Sequence, residues 1–118
     1  MFDFEELAVY KKAKSFNSGI RDFMKNVQLD RITNDQLRRA AFSVVLNIAE
    51  GTGRFSKADR CNFYIISRSS IFECVAILDV LLGEGRIDKV LYDNLYQLAE
   101  EISKILFSMI KQLKEEAV

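Results

Sequence analysis

No proline interrupts this chain of 118 residues. Proline is the commonest helix breaker and the usual punctuation of all-β folds, so its absence points to long helices. Of five glycines, only Gly19 falls inside a segment of apolar periodicity. Apolar residues make up 49% of the chain, which is a globular composition. A chain of this size holds one core, and we expect a single domain over residues 1–118.

Apolar spacing divides the chain into four helical segments. In the first, about 4–27, Leu7, Tyr10, Ala13, Phe16, Ile20, Phe23 and Val27 recur every three or four residues, as one helix face requires. Leu29 to Ile32 is a short connection. Thr33-Asn34-Asp35-Gln36 fits a capping box, which predicts a second helix over about 34–50. Ser56 to Asp59 resembles another capped start, for a third helix that continues to about Leu82. Gly83-Glu84-Gly85-Arg86 then supplies glycine suited to the left-handed residue beyond a helix end. The fourth helix spans about 88–115 with Asp88 as its cap, and Leu91, Leu95, Leu98, Ile102, Ile105 and Met109 form a packing seam. Amphipathic helices of this length with short connections predict an all-α, up-down-up-down antiparallel four-helix bundle.

The second helix carries more apolar surface than one bundle needs. Leu37, Ala41, Val44 and Ile48 share one face, whereas Phe42, Val45, Leu46 and Ala49 form another. We read the second set as an oligomer interface. The third helix is apolar almost all round, so burial against another subunit is expected there too. Between the two faces of helix two runs a polar stripe that includes Gln36, Arg39, Ser43, Asn47 and Glu50. It reads either as a ligand-facing surface or as a hydrogen-bonded seam that fixes helix register. If the hairpin turns near residue 53, then Arg60, Tyr64 and Arg68 fall opposite Asn47, Ser43 and Arg39.

Little else in the sequence resembles chemistry. There is no histidine, which removes imidazole as metal ligand, acid or base. Cys61 and Cys74 lie about 20 Å apart along one helix, too far for a disulfide, and read as buried apolar residues. Glu50 and Glu73 are too widely separated for a catalytic carboxylate pair. Gly51-Thr52-Gly53-Arg54 follows a helix and not a strand, so it reads as a corner and not a dinucleotide loop. We expect no enzyme activity, no cofactor and no metal site. The start, MFDFEEL, lacks the pattern of a signal peptide. The most apolar stretch, 61–82, has Arg68, Glu73 and Asp79 within it, which argues against a membrane span. A cytoplasmic protein is expected.

Net charge is zero but unevenly spread: −3 over residues 1–10, +7 over 11–72 and −4 over 73–118. Arg38, Arg39, Arg54, Lys57, Arg60 and Arg68 gather around the second and third helices, and Lys11, Lys12 and Lys14 lie on the first. Arginine holds phosphate bidentately, so these six are candidate nucleic-acid contacts. No helix-turn-helix reader or aromatic stacking platform accompanies them.

The stretch QLRRAAFSVVLNIAEGTGRFS, followed by CNFYIISRSSIFE, resembles the signature of the four-helix-bundle proteins encoded in 23S ribosomal RNA intervening sequences. Gln36, Arg38, Arg39, Ala40, Ser43, Asn47, Ile48, Ala49, Glu50, Gly51, Arg54, Ser70 and Glu73 fit that pattern, and Leu7 to Ala13 resembles the family's usual opening. The resemblance implies a ring-like homo-oligomer, a pentamer. It extends to accessory proteins of diversity-generating retroelements, which partner a reverse transcriptase and bind RNA or DNA. Those proteins are strongly basic, and this chain is neutral. Two expectations follow: an oligomeric nucleic-acid accessory, or a scaffold for a protein partner with no nucleic-acid role.

Overall fold

The computed structural model describes residues 1–116. A single 3-10 turn, Asp3–Glu6, precedes four helices: α1 (Ala8–Lys25), α2 (Arg31–Thr52), α3 (Lys57–Gly83) and α4 (Lys89–Glu116). Each helix packs on its neighbours in sequence, and α1 closes against α4, giving an antiparallel four-helix bundle of 47 × 26 × 23 Å. The expected first helix is split. Leu7 takes extended backbone (φ −69°, ψ 129°) between the 3-10 turn and α1.

The expected core face of α2 is fully buried: Leu37, Ala41, Val44 and Ile48 have no exposed surface. They meet Phe16 and Ile20 from α1, Ile71, Cys74 and Leu78 from α3, and Leu95, Ile102 and Leu106 from α4. Full burial of each large aliphatic or aromatic side chain contributes about 1.5–3 kcal/mol. Both cysteines are buried thiols.

The helix ends bear out three expected signals and move both ends of α2. Helix α2 starts three residues earlier than the Thr33 box predicts. Asp30 is its cap, accepting the Thr33 amide at 3.0 Å, so Thr33 donates its backbone proton where it was expected to accept one. A carboxylate there also faces the positive end of the helix dipole. Ser56 caps α3 by accepting the Asp59 amide, and Asp88 accepts the Leu91 amide ahead of α4, as expected. Past α3, Gly85 takes the left-handed conformation (φ +70°) that ends the helix. At this end of the bundle the Arg86 guanidinium donates to the Gln28 carbonyl and ties the two loops together.

Candidate nucleic-acid interface and assembly surface

The polar stripe of α2 divides in two. Asn47 donates to the Ser43 hydroxyl at 2.9 Å and to the Ser43 carbonyl at 2.8 Å. From α3, Ser70 donates to the Ser43 hydroxyl at 2.8 Å, with the Ile66 carbonyl, 3.0 Å away, as the alternative acceptor for the same proton. Ser67, fully buried, donates to the Val44 carbonyl at 2.8 Å. Thr52 donates to the Ile48 carbonyl, so the Tyr64 hydroxyl, 2.8 Å away, donates to Thr52. Ser43 and Asn47 thus belong to a hydrogen-bonded seam between α2 and α3. Gln36 and Glu50 are exposed outside it.

The register differs from the expected one. Ser43 meets Ser70 and not Tyr64, and Arg60 and Arg68 do not face the stripe. The reason is that the first turn of α3 runs past the end of α2. Gly51, expected to end α2, lies inside its last turn against Phe63 and Tyr64 of α3. A Cβ at Gly51 would sit 2.9 Å from the Phe63 Cβ and 2.9 Å from the Tyr64 ring, closer than carbon atoms approach. Glycine at this point lets the two helices touch backbone to side chain.

The six basic residues occupy three separate places. At the α2–α3 corner, the Arg54 guanidinium lies over the Phe63 ring, 4.5 Å from its centroid, and Arg60 Nε donates to the Arg54 carbonyl at 2.7 Å. Lys57, beside them, pairs with Glu116 at 3.4 Å. Phe55 projects fully exposed from the same corner. Arg38 and Arg39 are exposed on α2, about 22 Å away along the helix at about 1.5 Å per residue. Arg68 faces α4: its Nε donates to the Ser103 carbonyl at 3.3 Å, and its guanidinium lies near the Phe72 and Phe107 rings, at 4.9 and 5.4 Å. One protomer therefore has a basic corner, a basic stretch of α2 and a lone arginine on α3–α4. Of the first-helix lysines, Lys11 pairs with Glu6 and Lys12 with Glu101, and Lys14 lies over Tyr10.

The second apolar face of α2 is narrower than its sequence implies. Phe42 and Leu46 remain 44% and 42% exposed, whereas Val45 is buried in the core and Ala49 is half-buried. The Arg21 guanidinium from α1 lies 5.2 Å from the Phe42 ring centroid. Sequence reasoning anticipated cover for α3 but missed the surface that α3 makes with α4. There Phe72 and Phe107 are more than half exposed, and an open groove of about 590 Å³ is lined by Arg68, Phe72, Val75, Asp79, Tyr92 and Tyr96 among others. Partial burial, followed by the charge of Asp79, raises the Tyr92 hydroxyl above the ordinary tyrosine range. The missed signal was Phe107, an aromatic on the charged outer side of α4. Among the described residues no cluster of metal-binding side chains occurs, and no helix is long and apolar enough to cross a membrane.

A family model described as 23S rRNA-intervening sequence protein matches residues 5–108. The chain belongs to that family. A solved structure of a protein with unknown function, assigned to the S23 ribosomal protein family and from Bacteroides thetaiotaomicron VPI-5482, is 28% identical. The match covers 88% of this chain and 99% of that one, with a TM-score of 0.83. No curated protein matches the chain. Within this 23S rRNA intervening-sequence protein, the matched span includes all six basic residues, the seam, Phe42, Leu46, Phe72 and Phe107.

Proposed function

We propose that this family member works by binding and not by catalysis, as a homo-oligomeric accessory that holds nucleic acid at its α2–α3 corners. The observation that carries the reading is the corner itself. Arg54 and Arg60 are locked together by the 2.7 Å bond, Arg54 is braced on Phe63, and Phe55 stands fully exposed beside them. Held guanidiniums make phosphate contacts at little cost in side-chain entropy, and an exposed aromatic offers a face on which a base can stack. One corner is a small footprint on a neutral chain. An oligomer, for which the family resemblance implies a pentamer, repeats it. Exposed Phe42 and Leu46, on a protomer whose core is already closed, support self-association. A reverse transcriptase or other protein, implied by the same resemblance, is the partner in this role, and the cytoplasm is its setting.

Binding of single-stranded RNA, followed by fluorescence anisotropy across a salt series, tests this reading. Replacing Arg54 and Arg60 with alanine removes two phosphate contacts per engaged corner and flattens the log–log salt slope by about 1.4. The Arg38→Ala/Arg39→Ala protein should keep the wild-type slope. Absence of binding at low salt, or control of the slope by Arg38 and Arg39, overturns the corner assignment. A second reading, a scaffold for a protein partner with no nucleic-acid role, is the one left standing if RNA and DNA both fail to bind.

A further inference from the structure

The two apolar surfaces complement each other in charge as well as in character. Across α3 and α4, Ile65, Phe72, Phe107 and Ile110 line a shallow depression bordered by Arg68 and Lys114. Phe72 leads from it into the larger groove, where Asp79 and Glu100 stand beside Tyr92 and Tyr96. On α2, the exposed pair Phe42 and Leu46 has Arg38 and Arg39 on its N-terminal side and Glu50 on its C-terminal side. Among the described residues, Arg38, Arg39, Glu50 and Asp79 have no ion-pair partner, while Glu100 is held only by Lys104 within α4, at 3.9 Å.

The hydrogen bonds between helices set these residues at comparable heights along the bundle axis. Ser43 is level with Ser70, and Arg68 with Ser103. Counting along each helix at about 1.5 Å per residue, Phe42 and Leu46 lie level with Phe72 and Arg68, each within about one residue. Arg39 falls between the heights of Glu100 and Asp79, and Glu50 between those of Arg68 and Lys114. In one direction the α2 face therefore runs from Arg39 through Phe42 and Leu46 to Glu50, and the groove runs from Asp79 and Glu100 through Phe72, Arg68 and Phe107 to Lys114.

We propose that the α2 face of one copy seats in the α3–α4 groove of a second copy, head to tail. Phe42 and Leu46 then cover Phe72 and Phe107, Arg39 meets Asp79 and Glu100, and Glu50 meets Arg68 and Lys114. A rotation about an axis parallel to the bundle keeps these heights matched, so each copy gives one face and offers the other. The contact is heterologous. This inference rests on the reading that the chain self-associates, and it adds which surfaces meet.

Two complementary variants test it. Leu46→Glu spoils the α2 face and Phe107→Glu the groove; both side chains are substantially exposed, and circular dichroism checks that each protein stays helical. Light scattering should find each variant alone at the 13.6 kDa chain mass. Mixed, they should form a species of twice that mass, because the first keeps an intact groove and the second an intact face. Arg39→Glu should raise the apparent dissociation constant roughly tenfold, from lost attraction plus like-charge repulsion at an exposed pair, and Asp79→Arg on the same chain should restore it. An assembled wild type whose Phe107→Glu variant also assembles overturns the head-to-tail contact and leaves self-association standing. So does a mixture that gives no heterodimer, or an Asp79→Arg change that rescues nothing. A monomeric wild type overturns both.

Discussion

Gly51→Ala is the sharpest available test of how α2 and α3 are held together. The added methyl would lie 2.9 Å from the Phe63 Cβ and 2.9 and 3.1 Å from two atoms of the Tyr64 ring. Ordinary carbon contacts lie at about 3.5–4.0 Å, so more than half an ångström must be found. Tyr64 is fixed by its bond to Thr52, and the Phe63 Cβ is fixed to its own backbone, so α3 itself must move away. Overpacking of this kind costs about 1–3 kcal/mol, and loss of the Tyr64–Thr52 bond adds about 1 kcal/mol. Against this, alanine in place of glycine within a helix contributes about 1 kcal/mol. The balance is a loss of about 1–3 kcal/mol, or roughly 4–12 °C in Tm for a chain of this size, at fixed protein concentration. Gly83→Ala is the control, because a methyl there meets nothing within 4 Å. It should leave Tm unchanged or raise it. A Gly51→Ala protein that melts at or above the wild type refutes the close-approach argument.

Two further outcomes follow from protonation and burial. Bonding to the Thr33 amide holds the Asp30 carboxyl below its ordinary range. A depressed folded-state value stabilises the native form above the unfolded value, and the effect is lost as pH falls through the folded one. The Tm advantage of wild type over Asp30→Ala should therefore be present near neutrality and shrink below about pH 4, whereas an advantage that is constant with pH contradicts the carboxylate cap. The Cys74 thiol is pushed up to about 12, first by burial and then by the charge of Glu73. Its alkylation at pH 8, followed by peptide mass spectrometry, should proceed only as the protein unfolds; rapid labelling under native conditions contradicts its burial.

Much of the fold was legible because a 3.6-residue period needs no knowledge of neighbours. Leu37, Ala41, Val44 and Ile48 announce a buried face, and the helices that bury it follow from length and turn chemistry. The start of α2 was less legible: Asp30 and Thr33 each precede a plausible first turn, and only the chain's path chooses between them. Register was harder still. It depends on how far α3 overshoots α2, a property of the Gly51–Tyr64 contact that no count along the sequence contains. That error carried into the basic residues: Arg60 lies at the corner against the Arg54 carbonyl, and Arg68 turns to the Ser103 carbonyl of α4, so neither meets the polar stripe. Val45 illustrates the same limit, because it borders both faces of α2 and only the packing of the whole bundle decides that the core takes it. The α3–α4 groove was visible only as a helix with too many apolar residues, an excess without a direction.

With an even number of antiparallel helices, the polypeptide enters and leaves on one side. Phe2 and Phe4 lie beside Thr52 and Gly53, and Glu116 reaches Lys57 at 3.4 Å, so both ends of the described residues flank the corner that carries Arg54. Anything joined there, whether a purification tag, a fluorophore or additional polypeptide, crowds that basic corner from the start. A label meant to leave it accessible belongs at the opposite pole, in the loops that Arg86 ties together.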